Sequence, residues 1–271
     1  MTVEKDTVFA GAVPAVYDAY LVPLIFQSYA IDTAQRLSEH PPASVLEIGC
    51  GTGVLTRALA SALPATSRII ASDLNQPMLD HAQSRLSAEN IEWRQADGMK
   101  LPFEDDEFDA VVCQFTAMFF PDKPAAFAEA HRVLSPGGTY ICSVWDRIEE
   151  NEIADAVTDA LPAVFPDDPP RFMARTPHGY HDLDVIRSDL ARAGISDAQI
   201  ETIAYRSRAD SPRDAAIAYC HGSPLRDEIL VRNPSGLDEA TDAAEQAVAA
   251  RFGTGAVDAK MQAHIITVQK S

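Results

Sequence analysis

From Ser44 onward, short apolar runs rich in β-branched residues alternate with longer segments of helical periodicity. Each run is apolar enough to be buried on both faces, and this strand–helix alternation predicts a parallel sheet covered by helices. The fold class is therefore α/β. The strands predicted in the first half are Ser44–Ile48, Arg68–Ser72, Ile91–Gln95, Phe108–Gln114 and Thr139–Val144.

The alternation resumes near residue 184. We expect a helix over 184–193, a strand over Gln199–Tyr205, helical segments at 212–220 and 237–252, and a final strand over Ala263–Val268. Residues 1–40 and the proline-rich stretch after Trp145 lie outside the pattern. Both are predicted to be additions that cover the carboxyl ends of the strands, where ligands bind in open α/β sheets.

The size and charge of the chain limit its partners. Its 271 residues, 46% of them hydrophobic, suffice for one large α/β domain with insertions. The 40 acidic and 22 basic residues leave a net charge of −18, which would repel a polyphosphate chain. Nucleic acid is therefore not expected as a partner, and an acidic surface that aids solubility is the simpler interpretation of the charge.

The cysteines and the N-terminal apolar run give no sign of a special compartment. The four cysteines are scattered, without a C-x-x-C pair, so neither a disulfide scaffold nor a metal site is predicted. The run from Val8 to Tyr17 is broken by glycine and proline and follows acidic residues, which argues against a signal peptide. No stretch approaches the roughly 20 apolar residues that cross a bilayer, so we expect no membrane span and a cytoplasmic location.

The first predicted strand runs directly into three alternating glycines and then a helix. The sequence is Val45-Leu46-Glu47-Ile48-Gly49-Cys50-Gly51-Thr52-Gly53. Such glycines let the backbone turn tightly and approach a ligand closely, and packing alone does not require three of them in five residues. The dinucleotide fingerprint G-x-G-x-x-G is not met, because Val54 or Thr56 occupies the position of its third glycine. A dinucleotide is therefore the less favoured ligand for this turn.

Aspartates follow the next two strands. Asp73 lies twenty residues beyond Gly53, where a carboxylate can accept hydrogen bonds from both hydroxyls of a ribose. The alternative role for Asp73 is the N-cap of a helix that begins near Gln76. Asp97-Gly98 follows the third strand, where by itself the pair would indicate only a turn.

The pattern E-x-G-x-G-x-G resembles motif I of class I S-adenosylmethionine-dependent methyltransferases. The fourth strand, followed by Phe119-Phe120-Pro121-Asp122 and His131-Arg132-Val133-Leu134-Ser135-Pro136-Gly137-Gly138, resembles the type 11 domain of ubiquinone and menaquinone biosynthesis. The resemblance is close over residues 44–146. It implies a Rossmann-like, doubly wound, seven-stranded sheet with the last strand antiparallel, and helical lid additions.

The same resemblance implies a division of the chain and a set of cofactor contacts. A single domain, 1–271, would comprise an N-terminal helical cap (1–40), a cofactor-binding core (41–146), a lid insertion (147–184) and a C-terminal part of the sheet with a helical insertion (185–271). Glu47 and Gln114 would bind the methionyl amino group from opposite sides, Asp73 the ribose, and Asp97 with Gly98 the adenine. The full set of expected S-adenosylmethionine contacts is Glu47, Gly49, Cys50, Gly51, Gly53, Asp73, Leu74, Met78, Asp97, Gly98 and Gln114.

The implied reaction is methyl transfer to a small molecule at oxygen, carbon or nitrogen by in-line displacement. Because the sulfonium already activates the methyl group, the enzyme mainly aligns the reactants and excludes water, and a dedicated base is optional. The catalytic residues are therefore left unknown. His178 and His181 are weak candidates for a base, alongside His221, because they lie in the additions. The remaining histidines, expected to be structural, are His40, His81, His131 and His264.

The additions also carry aromatic side chains suited to a small aromatic or polyketide-like acceptor. The expected acceptor contacts are Tyr17, Tyr20, Phe119 and Tyr180, with Phe26, Phe172 and Met173 nearby. An equally simple explanation is that these rings only pack the additions onto the core. Two other functions stay open, a nucleotide-binding Rossmann oxidoreductase and a non-catalytic S-adenosylmethionine-binding module. The oligomeric state is not predicted.

Overall fold

The computed structural model of the chain describes residues 13–271, and these contain a seven-stranded sheet in the order β3-β2-β1-β4-β5-β7-β6. Strands β1 to β5 are mutually parallel, and β7 runs antiparallel to both of its neighbours. The predicted architecture is thereby confirmed. The strands are β1 Ser44–Ile48, β2 Arg68–Asp73, β3 Ile91–Gln95, β4 Phe108–Gln114, β5 Leu134–Trp145, β6 Gln199–Ala209 and β7 Val257–Gln269.

Helices cover both faces of the sheet. Those that cross between the parallel strands bury an apolar stripe against it, as Leu55 and Leu59 do in α3 and Phe127 does in α5. The helices are α1 Val13–Val16, α2 Gln27–Ser38, α3 Val54–Ala62, α4 Gln76–Arg85, α5 Lys123–Val133, α6 Glu152–Val164, α7 Phe172–Arg175, α8 Leu183–Arg192, α9 Pro212–His221, α10 Leu225–Arg232 and α11 Leu237–Phe252.

The order of the strands reverses between β1 and β4, and this switch point positions the site. From β1 the chain proceeds outward through β2 and β3, then returns to β4 on the other side of β1. In such sheets the crevice beyond the carboxyl ends of the strands at the reversal is where ligands bind. The register brings Glu47 of β1 level with Val112 of β4 and Ala71 of β2, so their strand ends share one edge.

The N-terminal helical segment is continuous but changes its geometry. Between α1 and α2, residues Tyr17–Phe26 form a π-helical stretch that contains Pro23. Hydrogen bonds from Tyr29 Oη to the Ile203 carbonyl (3.0 Å) and from Ser207 Oγ to the Leu24 carbonyl (2.9 Å) fasten the segment to β6. The part of the predicted 1–40 cap that precedes Val13, including the start of the Val8–Tyr17 run, lies outside the described residues.

The strands that differ from prediction are β5, β6 and β7, all longer than their apolar runs. In β5 the Pro136-Gly137-Gly138 segment forms a bulge within the strand, because Phe108 pairs with Leu134 and Ala110 already pairs with Thr139. In β6 and β7 the added residues alternate between buried and exposed, and pairs such as Arg206–Asp258 lie on their solvent face. An apolar run shows only the doubly buried part of such a strand.

The predicted lid insertion, residues 147–184, contains α6 and α7, which pack on one another; α6 also lies against α9 and α11. The predicted C-terminal helices agree with α9 and α11, whereas α6 and α10 were not resolved from the sequence pattern. Within residues 13–271, no helix is both long and apolar enough to cross a membrane.

Candidate functional site

A cavity of about 560 Å³ opens at the carboxyl ends of β1 to β4, where the sheet switches direction. Its size is within the range of small-molecule sites. Its lining residues form two chemically different surfaces. We call the first the polar wall, formed by Glu47, Gly49, Cys50, Gly51, Asp73, Asp97 and Gly98, and the second the aromatic wall, formed by Tyr17, Phe26, Phe115, Phe119 and Phe120.

The glycine turn after β1 adopts left-handed backbone geometry, with φ of 72° at Gly49, 55° at Gly51 and 82° at Gly53. Residues with a Cβ rarely adopt these angles. A Cβ at Gly49 would lie 2.3 Å from Thr116 Oγ1, so this glycine also admits the chain that follows β4. At Gly51 a Cβ would point into the cavity, where the nearest atom is Tyr17 Oη at 4.0 Å. Gly51 therefore lets a ligand approach the backbone.

The amide groups of the three glycines and of Cys50 in this turn are already bonded within the protein. Those of Gly49 and Cys50 both donate to the Ser72 carbonyl, at 2.8 and 2.9 Å, and that of Gly53 donates to the Cys50 carbonyl at 2.9 Å. The Gly51 amide donates to Asp73 Oδ2 at 2.9 Å. A pyrophosphate-binding turn needs these N–H groups for its ligand. The turn therefore binds the carboxylate of Asp73 and has few amides left for a ligand phosphate.

Asp73 at the end of β2 links the glycine turn to α4. Its Oδ1 accepts from the Asn75 amide at 2.8 Å while Oδ2 accepts from Gly51. Asn75, and not Asp73, occupies the N-cap position of α4, so the alternative role expected for Asp73 is not observed. Burial raises the pKa of Asp73, and the amide hydrogen bonds oppose that rise. A carboxylate has about four acceptor positions, so capacity remains for ligand hydroxyls.

Glu47 is the most deeply buried acid of the polar wall, with 1% of its surface exposed. Burial raises its pKa to about 8, partly opposed by a 2.6 Å hydrogen bond that Thr56 Oγ1 donates to Oε2. The nearby Asp73 adds to the rise and Arg57 lowers it. A buried carboxyl of this kind gains most from a cationic ligand, because the cation would stabilise its ionised form.

The end of β3 supplies Asp97 and Gly98. Asp97 is exposed at the cavity edge and its Oδ1 accepts from the Met99 amide at 2.9 Å. Gly98 is buried, and a Cβ there would lie 2.7 Å from the ring of Phe120. Gly98 thus permits the aromatic wall to close against the polar wall. Leu74, 52% exposed, and Met78, 3% exposed, add apolar surface between the two aspartates.

The aromatic wall is a set of interlocking rings from segments far apart in the chain. Tyr17 stacks on Phe26, and Phe26 packs against Phe115 with centroids 5.6 Å apart. Phe115 in turn stacks on Trp145 with centroids 3.8 Å apart and planes within 7°. Phe115 holds a left-handed backbone, φ 51°, and its amide donates to the Ser143 carbonyl. Packing keeps this residue in a conformation that it would otherwise avoid.

Gln114 lies where the two walls meet. Its side-chain nitrogen is 3.5 Å from the Phe26 carbonyl, and its Oε1 atom is buried with no hydrogen-bond partner among the described residues. Buried polar atoms of proteins are nearly always bonded. Gln114 Oε1 is therefore suited to accept a hydrogen bond from a ligand in the cavity.

The charges of the cavity favour one kind of ligand. Its described lining includes three carboxyl side chains, those of Glu47, Asp73 and Asp97, and no lysine, arginine or histidine. Such a surface disfavours pyrophosphate and favours a ligand with positive charge and hydroxyl groups. The residues present thus fit S-adenosylmethionine, whose ammonium, sulfonium and ribose match these acceptors, better than a dinucleotide.

Most of the residues predicted for the cofactor line this cavity. The exception is Gly53, which lies behind it, where a Cβ would meet Ala82 and Trp93. Of the expected acceptor contacts, Tyr17 and Phe119 line the cavity. Tyr20 is partly exposed on the helix surface and Tyr180 is buried beside Lys123 and Asp189, both away from the lining.

The candidate bases lie away from the cavity. His178 is buried, its Nδ1 lies 2.9 Å from the Asp146 carbonyl, and burial lowers its pKa to about 4. His181 Nδ1 is 2.8 Å from the His178 carbonyl, and His221 pairs with Thr241. No residue of the predicted lid, 147–184, is in the lining, whereas Tyr17 and Phe26 of the N-terminal helical segment are.

Several lining residues escaped the sequence argument. Phe115, Thr116 and Phe120 follow β4 in a segment without periodicity, and Phe26 was noted only as a neighbour of the site. Only the adjacent Gln114, a polar residue at a strand end, signals that this segment approaches a ligand. The four cysteines are free and buried, and residues 13–271 contain no cluster of three or more side chains able to hold a metal ion.

Comparison with known proteins places residues 46–142 in a family model described as a methyltransferase domain. Over 104 residues the chain is 40% identical to the demethylmenaquinone methyltransferase of Lactiplantibacillus plantarum, covering 37% of this chain and 44% of that protein. The Staphylococcus aureus protein of the same name is 39% identical over 98 residues, 36% of this chain and 41% of that one. The chain thus spans less than half the length of these curated relatives.

Solved structures share the fold over nearly the whole chain. Phosphoethanolamine N-methyltransferase 2 of Haemonchus contortus, solved with S-adenosyl-L-methionine, covers 100% of this chain and 60% of its own at a TM-score of 0.60 and 16% identity. The YcgJ protein of Bacillus subtilis covers 90% and 98% at 0.56 and 17% identity. The cyclase SpnF covers 89% and 80% at 0.54 and 18% identity. At these identities the likeness establishes the fold and not the reaction.

Proposed function

We propose that the chain, whose residues 46–142 match a family model described as a methyltransferase domain, transfers the methyl group of S-adenosylmethionine to a small, apolar, flat acceptor. The observation that carries the proposal is the cavity with two unlike walls. One wall offers carboxyl groups and a turn whose amides are already bonded, and the other offers uncharged rings. The first suits a cationic nucleoside and the second an apolar acceptor.

Each acid of the polar wall has a proposed part in holding the cofactor. Asp73 accepts from the ribose hydroxyls with the acceptor positions that Gly51 and Asn75 leave open. Asp97 and the Gly98 amide bind the adenine edge, beside the apolar surface of Leu74. Glu47 faces the ammonium group, and Gln114 Oε1 accepts a hydrogen bond from the same group or from the acceptor.

The reaction asks the chain mainly for alignment and for exclusion of water. The bound cofactor supplies an electrophilic methyl group on a sulfonium, which needs no further activation. Phe26, Phe115 and Phe119 provide flat apolar surface against which an acceptor can stack, and Tyr17 covers the mouth from the N-terminal helical segment. Fixing the reacting atoms in line accounts for a large part of the rate gained in such transfers.

Proton removal has no dedicated group in the described lining. The carboxyl groups line the polar wall, and no imidazole lines the cavity. We therefore propose an acceptor atom that is nucleophilic without a protein base, such as a neutral amine or an already ionised enol or phenol. The assignments of His178 and His181 as bases stay predictions without support from their positions.

The negative charge of the chain, −18, supports a small-molecule acceptor over a nucleic acid.

We keep the proposed division of the chain into cap, core, lid and C-terminal part, but we assign different roles to the cap and to the lid. Residues Val13–Phe26 act as the cover, and residues 147–184 support the far side of the sheet.

Binding and turnover experiments separate the three functions considered. Calorimetry should show binding of S-adenosylhomocysteine and none of NAD, because the cavity lacks basic side chains and free turn amides; the reverse result would indicate an oxidoreductase. Transfer of a labelled methyl group to one member of a library of small amines, phenols and enols then tests catalysis. Cofactor binding without transfer to any member would favour a non-catalytic binding module.

A further inference from the structure

Asp18, one residue after the Tyr17 that covers the cavity, meets four side chains from three neighbouring segments. Its Oδ1 accepts from Thr52 Oγ1 in the glycine turn and from Arg57 of α3, both at 3.0 Å. Its Oδ2 lies 3.4 Å from His81 Nε2 and 3.5 Å from the Arg85 guanidinium, both on α4. The Asp18 side chain is only 5% exposed.

Through Thr52 and Arg57, Asp18 is bonded to the glycine turn that forms part of the polar wall. Arg57 also donates to the Thr52 carbonyl at 2.8 Å, so Asp18, Arg57 and Thr52 form a closed ring of hydrogen bonds around the turn. Burial opposes ionisation of Asp18, yet Arg57 and the donated hydrogen bonds hold its pKa below the usual value. His81 Nε2 is buried and has no other hydrogen-bond partner in the described part of the chain.

The helical segment does not depend on Asp18 to stay docked on the domain. Its second half, α2, is held to β6 by Tyr29 Oη on the Ile203 carbonyl and by Arg36 on Glu201, at 3.0 and 2.7 Å. Pro23, in the π-helical stretch ahead of α2, has no amide hydrogen to donate and interrupts the backbone bonding of the helix. The residues before Pro23 are therefore less firmly coupled to α2, and side-chain contacts such as those of Asp18 decide how firmly they lie on the glycine turn.

We propose that Asp18 is a positioning residue that fastens the cover Val13–Phe26 to the glycine turn and slows departure of the cofactor. The inference rests on the proposed function, because it assigns the cavity to S-adenosylmethionine. When the ring of hydrogen bonds is intact, Tyr17 stays over Gly51 and the turn keeps the shape that the ligand requires. Without Asp18, Arg57 loses its partner and the cover opens more often.

The test compares Asp18→Asn with Asp155→Asn. Asp155 accepts from Arg251 at 2.8 Å between α6 and α11, away from the cavity, so its loss removes a similar ion pair without touching the cover. For Asp18→Asn we expect the dissociation rate of S-adenosylhomocysteine, measured by stopped-flow, to rise by about tenfold or more, as for other hydrogen bonds to charged groups. The association rate and the unfolding midpoint should change little, and Asp155→Asn should change neither rate.

Two more variants guard against an effect of misfolding. Asp18→Glu keeps the carboxylate and should restore much of the slow dissociation. Arg57→Gln breaks the same ring from its other side, and combined with Asp18→Asn it should add little to either single change. Wild-type dissociation rates in folded Asp18→Asn, or in Arg57→Gln if the first variant does not fold, would overturn the inference. Absence of S-adenosylhomocysteine binding by the wild-type protein would overturn the proposed function and the inference together.

Discussion

The polar wall and the aromatic wall line one cavity, but they are held in place by different means. Polar-wall groups such as Asp73 and Gly51 are fixed by short hydrogen bonds between neighbouring strand ends. The rings of Phe26 and Phe115 are fixed by packing against one another and against Trp145, on which Phe115 is stacked. A change in the polar wall should therefore act on the cofactor alone, whereas a change in the aromatic wall should act on the acceptor.

The largest effect is expected at the glycine turn. In Gly51→Val the side chain would enter the cavity and force φ from 55°, so we expect S-adenosylhomocysteine binding to be lost while the sheet stays folded. Calorimetry and circular dichroism measure the two outcomes. Gly194→Val is the matched control, since φ there is 83° and nothing lies within 4 Å, so it should cost stability without affecting binding. Tight binding by folded Gly51→Val would remove the turn from the site.

A smaller but distinct loss is expected for Asp73→Ala. Cofactor affinity should fall by roughly 1.5–3 kcal/mol, the range for hydrogen bonds to a charged group. Asp73 also accepts from two backbone amides, so the unfolding midpoint in urea should fall as well. Asp182→Ala, which removes a carboxylate bonded to the Asp184 and Val185 amides, should lower stability only. Unchanged affinity in Asp73→Ala would contradict the ribose contact.

The third effect is a pH dependence that belongs to Glu47. In the free protein its pKa is raised to about 8, so a cationic ligand that favours the ionised form must displace a proton below that pH. Affinity for S-adenosylhomocysteine should rise by up to about tenfold per pH unit towards pH 8 and then level off. In Glu47→Gln the ligand itself still titrates, but the part of the pH dependence of affinity that Glu47 causes should disappear. Identical slopes in both proteins would place the ammonium elsewhere.

The same shift acts on the stability of the free protein. A carboxyl whose pKa is higher in the folded state than in the unfolded one favours folding at low pH, and that contribution disappears as pH rises from the unfolded value through about 8. The melting temperature of the free wild type should thus fall relative to Glu47→Gln between pH 5 and 9. Saturating cofactor should reverse much of the difference.

The smallest effects on cofactor binding are expected from the aromatic wall. Phe119→Ala should raise the KM of the acceptor found in the library several-fold, because a stacking surface is lost, and leave S-adenosylhomocysteine affinity within about twofold. Phe252→Ala, at the end of α11, removes a ring outside the cavity lining and serves as the control. If cofactor affinity fell by the same factor by which the acceptor KM rises, the two walls would not be independent.

The paired histidines test the acceptor side further. His178→Ala with His181→Ala should leave turnover within about twofold after correction for the folded fraction, since neither ring lines the cavity. A loss of tenfold or more with unchanged cofactor affinity would restore the sequence-based idea that one of them is the base.

The polar wall could be anticipated from the sequence because its geometry is local. Asp73 and Asp97 each follow a predicted strand, and parallel strands bring such positions to one edge whatever else the chain does. Strand boundaries were likewise accurate for β1 and β4, whose residues are mostly buried, and for the partly buried edge strand β3. They were too short for β6 and β7, whose outer faces carry charged pairs. Periodicity signals only the part of an element that is buried.

The aromatic wall could not be anticipated in the same way, because no local pattern brings Phe26 to Phe115 or to Trp145. The proline-rich stretch after β5, which contains His178 and His181, was predicted to be a lid because it lies outside the strand–helix alternation, yet its helix α6 packs on α9 and α11. Which addition covers which face of a sheet depends on the apolar area that the whole fold leaves exposed. That quantity exists only once the sheet is assembled.

The left-handed conformation of Phe115 limits how far this site can be treated as interchangeable parts. That backbone geometry disfavours a residue with a Cβ by on the order of 1 kcal/mol, and the stacked Trp145 holds it in place. Phe115 therefore depends on β5, through Trp145 and the Ser143 carbonyl, for its backbone conformation. If segment 114–121 were moved into a homologous protein with a small residue in place of Trp145, we expect Phe115 to leave the left-handed conformation. The segment would then no longer present the same residues to the cavity. Exchange of acceptor preference between such proteins requires moving the pair of rings as one unit.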